Sequence, residues 1–188
     1  MNIITLEKHL LNGLEPKVAL VEGSWVAGGA VRRYFTGEKP EHDIDVFCKD
    51  QNVVNNFIAM NGLIRSERIR NERMIMFFNS PIQIILLPQF LSPEDTIEHF
   101  DFTLCQFAWD GTKVISTKSA VISTLRKHLG VFKIQPGFEL DSLRRAFKYA
   151  KQGFTPCIGT IRDLAEVLNT APADNLLKYN DISPERWD

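Results

Sequence analysis

Residues 25–50 read WVAGGAVRRYFTGEKPEHDIDVFCKD, and the fold turns on how this stretch is read. It begins apolar, breaks at Gly28-Gly29, turns basic, and returns as an apolar run holding Asp43 and Asp45. Residues two apart on a strand point to the same side. If DIDVFC is a strand, both carboxylates share one face. Like charges so placed repel unless a cation sits between them or water reaches them. The glycine pair lies between a predicted strand (SWVAG) and a predicted helix (AVRRYF, ending near Gly37). Glycines there allow a sharp turn and a close backbone approach, and the helix start offers free N–H groups to a phosphate. Either feature alone is a common turn or a charged surface strand. Together they place a phosphate cradle beside carboxylate oxygens, the ligands that Mg²⁺ prefers.

Working outward, the spacing predicts a short helix capped by Thr5, with Leu6, Leu10, Leu11 and Leu14 on one side. A helix follows over NVVNNFIAMNG, and then come strands in LIRSERIR, RMIMFF and IQIILL, the last two joined by an NSP turn. Ser92 and Asp95 form the cap of a helix in SPEDTIEHF. TLCQFAW and KVIST form a hairpin about Asp110-Gly111. From Lys118 the pattern becomes helical: SAVISTLRKH, LDSLRRAFKYAKQG and TIRDLAEVLNTA. The expectation is an α+β fold. A head with a mixed or antiparallel sheet flanked by helices spans 1–117, and a short all-helical part spans 118–188.

The chain of 188 residues, with 44% hydrophobic residues, can bury a real core. No apolar run approaches the ~20 residues that span a membrane, and the first residues lack a signal-peptide layout. The three cysteines, Cys48, Cys105 and Cys157, are odd in number and widely spaced, which suits a reducing, cytoplasmic setting. A net charge of −1 argues against a general polyanion binder.

The segment GGAVRRYFTGEKPEHDIDVF resembles the signature of the polymerase-beta-type nucleotidyltransferases. More closely, it is similar to the head domain of class II tRNA CCA-adding enzymes and bacterial poly(A) polymerases. Gly28, Gly29, Val31, Arg32, Gly37, Asp43 and Asp45 carry the match, while Arg33 stands where that family has Asp. Asp101, Phe102, Thr103, Ala108, Asp110 and Gly111 resemble a second motif, with His99 and Phe100 in place of its two arginines. Asp141, Arg144, Arg145, Gly153 and Phe154 resemble a third.

The resemblance implies transfer of a nucleoside monophosphate from ATP or CTP to a hydroxyl, an RNA 3′ end being favoured, with release of pyrophosphate. It implies Mg²⁺ at a two-metal site held by Asp43 and Asp45. Gly28, Gly29 and Arg32 would hold the triphosphate, Asp101 would join the nucleotide contacts, and Asp141 and Arg144 would face the base. An i,i+3 surface ion pair is the plainer account of Asp141 and Arg144.

Two departures stand out. Gln83 stands at the place of an expected third carboxylate. Only about 35 residues follow Phe154, so the long tRNA-holding helices of the full enzymes are not expected, and tRNA should bind only weakly unless two copies assemble. A catalytically silent nucleotide- or RNA-binding relative is the alternative, favoured by Gln83 and Arg33. An unrelated α+β interaction domain is a further one. His42 beside Asp43 is a solvated loop residue or a phosphate contact. Arg65, Arg68, Arg70 and Arg73 form a charged strand face or an RNA-backbone contact.

Overall fold

The computed structural model describes residues 2–7, 18–38, 43–87 and 90–172. His42 and most of the predicted Leu6–Leu14 helix lie outside the described residues. In chain order the elements are β1 (Ile3–Leu6), β2 (Ser24–Ala27), α1 (Gly29–Thr36), β3 (Ile44–Cys48), α2 (Gln51–Met60) and β4 (Glu67–Arg70). They continue with β5 (Met74–Phe77), β6 (Ile82–Ile85), α3 (Pro93–Glu98), a 3₁₀ turn at Thr103–Cys105, β7 (Phe107–Trp109) and β8 (Val114–Thr117). The chain then runs through α4 (Lys118–Leu125), β9 (His128–Leu129), α5 (Glu139–Lys151), β10 (Thr155–Pro156) and α6 (Ile158–Thr170).

Eight strands form one sheet in the order β1-β8-β7-β2-β3-β6-β5-β4. Every neighbouring pair is antiparallel except β3 and β6. The sheet is therefore mixed, and its one parallel pair joins the strand of Asp45 to that of Gln83. Thr5 does not cap a helix. Ile3, Ile4 and Thr5 are β-branched, and β1 pairs in register with β8 from Ile3–Thr117 to Leu6–Val114. That run favours a strand once an edge is available to receive it.

Alternation along the strands builds two cores. Val26, Val46, Ile75, Ile84, Phe107 and Val114 point to one face, where Val31 of α1 and Phe57 of α2 cover them. Trp25, Ala27, Phe47, Ala108 and Ile115 point to the other, against Ile97 of α3. The Trp25 indole N–H donates to Thr96 Oγ1 at 2.9 Å and ties β2 to α3. Side-chain caps start α2, α3 and α4: Asp50 accepts from Val53 N, Ser92 from Asp95 N and Thr117 from Ala120 N. Each is worth about 1 kcal/mol.

A third core joins Phe102, Leu104 and Cys105 to Leu129, Ala146, Tyr149, Phe154 and Leu164. It fastens α5 and α6 to the segment before β7. The sequence reading from Lys118 contained only helices. The structure adds a short parallel bridge in which Thr155 and Pro156 pair with His128 and Leu129. Two-residue strands are too short to leave a periodic signal. Among the described residues no helix is long and apolar enough to cross a membrane.

Candidate nucleotide site

Gly28 takes φ 85° and ψ −146° between β2 and α1, a backbone region that residues with a Cβ avoid. Its N–H donates to Phe107 O at 2.8 Å, which holds the turn against β7. Gly29 differs. It has no positive φ, and an added Cβ would stand 3.4 Å from Arg33 Nη1. Gly28 supplies the turn and Gly29 supplies the room. Both line a cavity of about 540 Å³, a size that suits a nucleotide-sized ligand.

Asp45 lines the same cavity. On β3 it is flanked by buried Ile44 and Val46, while Asp43, one residue before the strand, is exposed. Burial, then the nearby Asp43 charge, pushes the Asp45 carboxyl up to about 7. Lys148 and Arg33 oppose the shift only in part. The parallel register sets Gln83 of β6 directly beside Asp45. The position next to Asp45 on the neighbouring strand is therefore an amide, as the sequence suggests. Two carboxylates and an amide oxygen suit one hard divalent cation. Among the described residues there is no group of three His, Cys, Asp or Glu placed to hold a metal.

The helical wall is built from α5 and the segment before the 3₁₀ turn. Phe138, Ser142, Arg145 and Tyr149 line the cavity at helical spacing, together with Asp101. Asp101 Oδ2 accepts from Ser142 Oγ and from Arg145 Nε, each at 2.8 Å, and lies 2.7 Å from Arg145 Nη2. Tyr149 Oη lies 2.9 Å from Cys105 Sγ, and burial pushes that thiol up to about 11. Phe47, Phe90, His99 and Phe100 complete an aromatic lining. His99 and Phe100 thus do face the cavity, but they bring no fixed positive charge.

Four predicted site residues, Asp43, Arg32, Asp141 and Arg144, are not among the lining residues, although Asp43 lies close to Asp45. Arg144 and Asp141 form an i,i+3 pair at 3.7 Å with the Arg144 side chain 54% exposed, and neither lines the cavity. The side chains that α5 turns to the cavity are Ser142 and Arg145, both bonded to buried Asp101. Arg32 is buried behind the wall. Its guanidinium carbon lies 4.7 Å from the Phe154 ring and 5.7 Å from the Tyr149 ring, and Nη2 donates to Gln152 Oε1. It braces α1 against α5. Ser142, Arg145 and Tyr149 were missed as site residues, although the stripe 138-142-145-149 was present in the sequence as a signal.

A shallower depression of about 650 Å³ lies by α2, among Lys49, Asn52, Asn56 and Met60. It contains no Asp-x-Asp strand and no glycine turn.

Residues 5–127 match the family described as Gabija anti-defense 2 family protein, which is more than half of the chain. The chain belongs to the Gabija anti-defense 2 family. No curated protein matches this family member. Among solved structures it resembles a CCA-adding enzyme in complex with CTP, with a TM-score of 0.60 and 16% identity over 87% of this chain and 44% of that one. A tRNA nucleotidyltransferase complexed with a primer tRNA and an incoming ATP analog gives 0.58 and 17% over 82% and 51%. The Thermotoga maritima CCA-adding enzyme complexed with tRNA gives 0.59 and 17% over 86% and 44%. This Gabija anti-defense 2 protein therefore has the fold of the nucleotidyltransferase head, and it spans about half the length of the enzymes it resembles.

Proposed function

We propose that this chain transfers a nucleoside monophosphate from a nucleoside triphosphate to a hydroxyl acceptor. The supporting observation is Asp45: a carboxylate pushed up to about 7, beside Asp43 and Gln83, in the wall of a cavity floored by the Gly28-Gly29 turn. A charge left this poorly compensated is costly, and such charges concentrate where a ligand supplies the counter-charge.

In the proposed reaction the acceptor oxygen bonds to the α-phosphorus. The bond from that phosphorus to the bridging oxygen breaks, its electron pair leaves with pyrophosphate, and the acceptor proton passes to water. Asp43 and Asp45 would hold Mg²⁺, with Gln83 as a neutral third contact. The ion, when bound, neutralises phosphate charge and orients the reacting oxygens. The remaining work belongs to the chain. Gly28 and Gly29 let phosphate oxygens approach the start of α1. Phe90, Phe100 and Tyr149 exclude water around the base and sugar. Asp101 and Arg145 present an acceptor and donors to polar edges. Among the described lining residues the fixed cation is Arg145, already bonded to Asp101, while Arg33 and Lys148 lie near enough to Asp45 to offset its charge only in part. Triphosphate binding should accordingly depend on Mg²⁺.

A silent nucleotide-binding relative is the second reading, and the specific observation for it is the amide of Gln83 at the position of an acid. The family description names an anti-defense role; either covalent alteration of a target or nucleotide-gated binding could serve it. The deciding experiment incubates the protein with each α-labelled nucleoside triphosphate, Mg²⁺, total RNA and cell protein, then separates RNA from protein. Label transferred by the wild type and lost in Asp45→Asn supports the transferase. Nucleotide binding without label transfer in any fraction supports the silent reading.

A further inference from the structure

Among the described residues, the helix packed on the sheet face that carries Asp45 is α3, at one end. α3 lies over β2, β7 and β8. Toward β4 the registers trace two rows across the strands, Asp45–Gln83–Met76–Ile69 and Phe47–Ile85–Met74. Register partners share a face, so the first row leads from Asp45 to the rim of the sheet. Ile69 is 41% exposed and Phe78, two residues past Met76, is 57% exposed. Gln83, Met74 and Met76 are half-buried. Apart from Asp45, neither row contains a charged side chain.

The rim itself is open. β4 is the last strand of the sheet, and among the described residues nothing pairs with its outer edge. All four of its residues are exposed. A free edge is a template for another extended backbone. Arg68 is on β4, with Arg65 just before it and Arg73 just after it in the chain; all three are exposed with no ion pair to any described acid, whereas Arg70 is held by Glu67 at 2.8 Å.

We infer that this edge and face receive an extended polypeptide segment, apolar on one side and acidic on the other, and that this polypeptide presents the acceptor hydroxyl. This rests on the transferase reading for the acceptor role, but not for the docking. An added strand takes its main-chain hydrogen bonds from β4 and sets alternate side chains on Ile69, Met76 and Phe78. Methionine surfaces adapt to varied side chains. The unpaired arginines at the rim complement acidic residues. A nucleic-acid strand crossing toward Asp45 would instead meet apolar side chains and a carboxylate, with no cation along the row to receive its phosphates.

The geometry also sets a spacing. Strands lie ~4.8 Å apart, so a segment docked outside β4 lies roughly 19 Å from Asp45. About six extended residues span that distance. The modified Ser, Thr or Tyr would lie about that far along the chain from the docked strand.

The test uses the full chain without nucleotide or Mg²⁺, and reads fluorescence anisotropy of labelled probes. One is a peptide of about eight alternating Val and Glu residues. Controls are its Lys counterpart, the Val/Glu peptide N-methylated at alternate amides, and an oligoribonucleotide of similar length. The Val/Glu peptide should bind. Phe78→Asp and Ile69→Asp should each weaken it about tenfold, and Arg68→Glu, which alters no packed residue, about threefold. The Lys and N-methylated peptides should not bind. Asp45→Asn should bind the peptide as the wild type does, so a failure of transfer chemistry leaves this result standing. Unchanged peptide affinity in all three rim variants overturns the inference. So does tight binding of the oligoribonucleotide that the same variants weaken.

Discussion

The sheet wall and the helical wall of the cavity each carry an aspartate, and the two are held in opposite ways. Asp101 is 6% exposed, yet its carboxylate accepts from Ser142 and Arg145. Asp45 has another carboxylate nearby and only partial opposition from Lys148 and Arg33, and its carboxyl is pushed up to about 7. One aspartate is satisfied by its own chain; the other is left requiring a counter-charge. A satisfied charge in a wall holds the wall together. An unsatisfied one costs stability, and the proposed Mg²⁺ would offset that cost.

That contrast can be broken first at Asp101. Asp101→Ala strands the Arg145 guanidinium and the Ser142 hydroxyl, and should cost about 3 kcal/mol of unfolding free energy by denaturant titration. A loss under 1 kcal/mol would mean that the helical wall is not held by this pair.

Asp45→Asn should act in the other direction. Burial holds the folded-state carboxyl of Asp45 at about 7, well above the ordinary carboxylate range. Below about pH 3 both states are protonated and the substitution is neutral. As pH rises toward 7 the unfolded state ionises first, so the wild type loses stability that the variant keeps. In EDTA the variant should gain about 4 kcal/mol at pH 8 and nothing at about pH 3. A gain of equal size at both pH values would trace to something other than this carboxyl.

The glycine pair sharpens the comparison at the floor between the walls. Gly28→Ala forces a side chain into φ 85° and should cost about 2 kcal/mol. Gly29→Ala, with an ordinary φ, should change stability by under about 0.5 kcal/mol and act mainly on nucleotide affinity. Equal costs at the two positions would contradict their separate roles. The smallest effect belongs to Arg144→Ala. Its exposed pair with Asp141 is worth under about 0.5 kcal/mol, and nucleotide preference should be unaltered by competition binding.

The contrast also marks how much could be read in advance. The glycine turn, the Asp45 strand and the neighbouring Gln83 were legible, because each is a local pattern of period two or a turn residue between two elements. The face of α5 was not. Asp141–Arg144 and Ser142–Arg145 are both i,i+3 pairs on the same helix, and the former has the more obvious charges. The choice was made by Asp101, some forty residues upstream, which no local pattern connects to the helix. Arg32 was misplaced for a similar reason: Tyr149 and Phe154, which take its guanidinium, lie more than a hundred residues on. The β1 strand was read as a helix start because its β-branched run is only three residues long, and its partner β8 is distant.

That last pairing governs the order in which the molecule can be made. β1 occupies residues 3–6 and its strand partner among the described residues spans 114–117. At a synthesis rate of about 5–20 residues per second, roughly 5–20 s separate the appearance of the two strands at the ribosome. Through that interval Ile3, Ile4 and Thr5 have no ladder to join, while β2 to β7 can already pair among themselves. The first strand to be made is placed last. Closing such a long loop is slow, so the completion of this sheet should follow the emergence of β8, and a pause in translation before residue 117 should prolong the exposure of an unpaired β-branched segment.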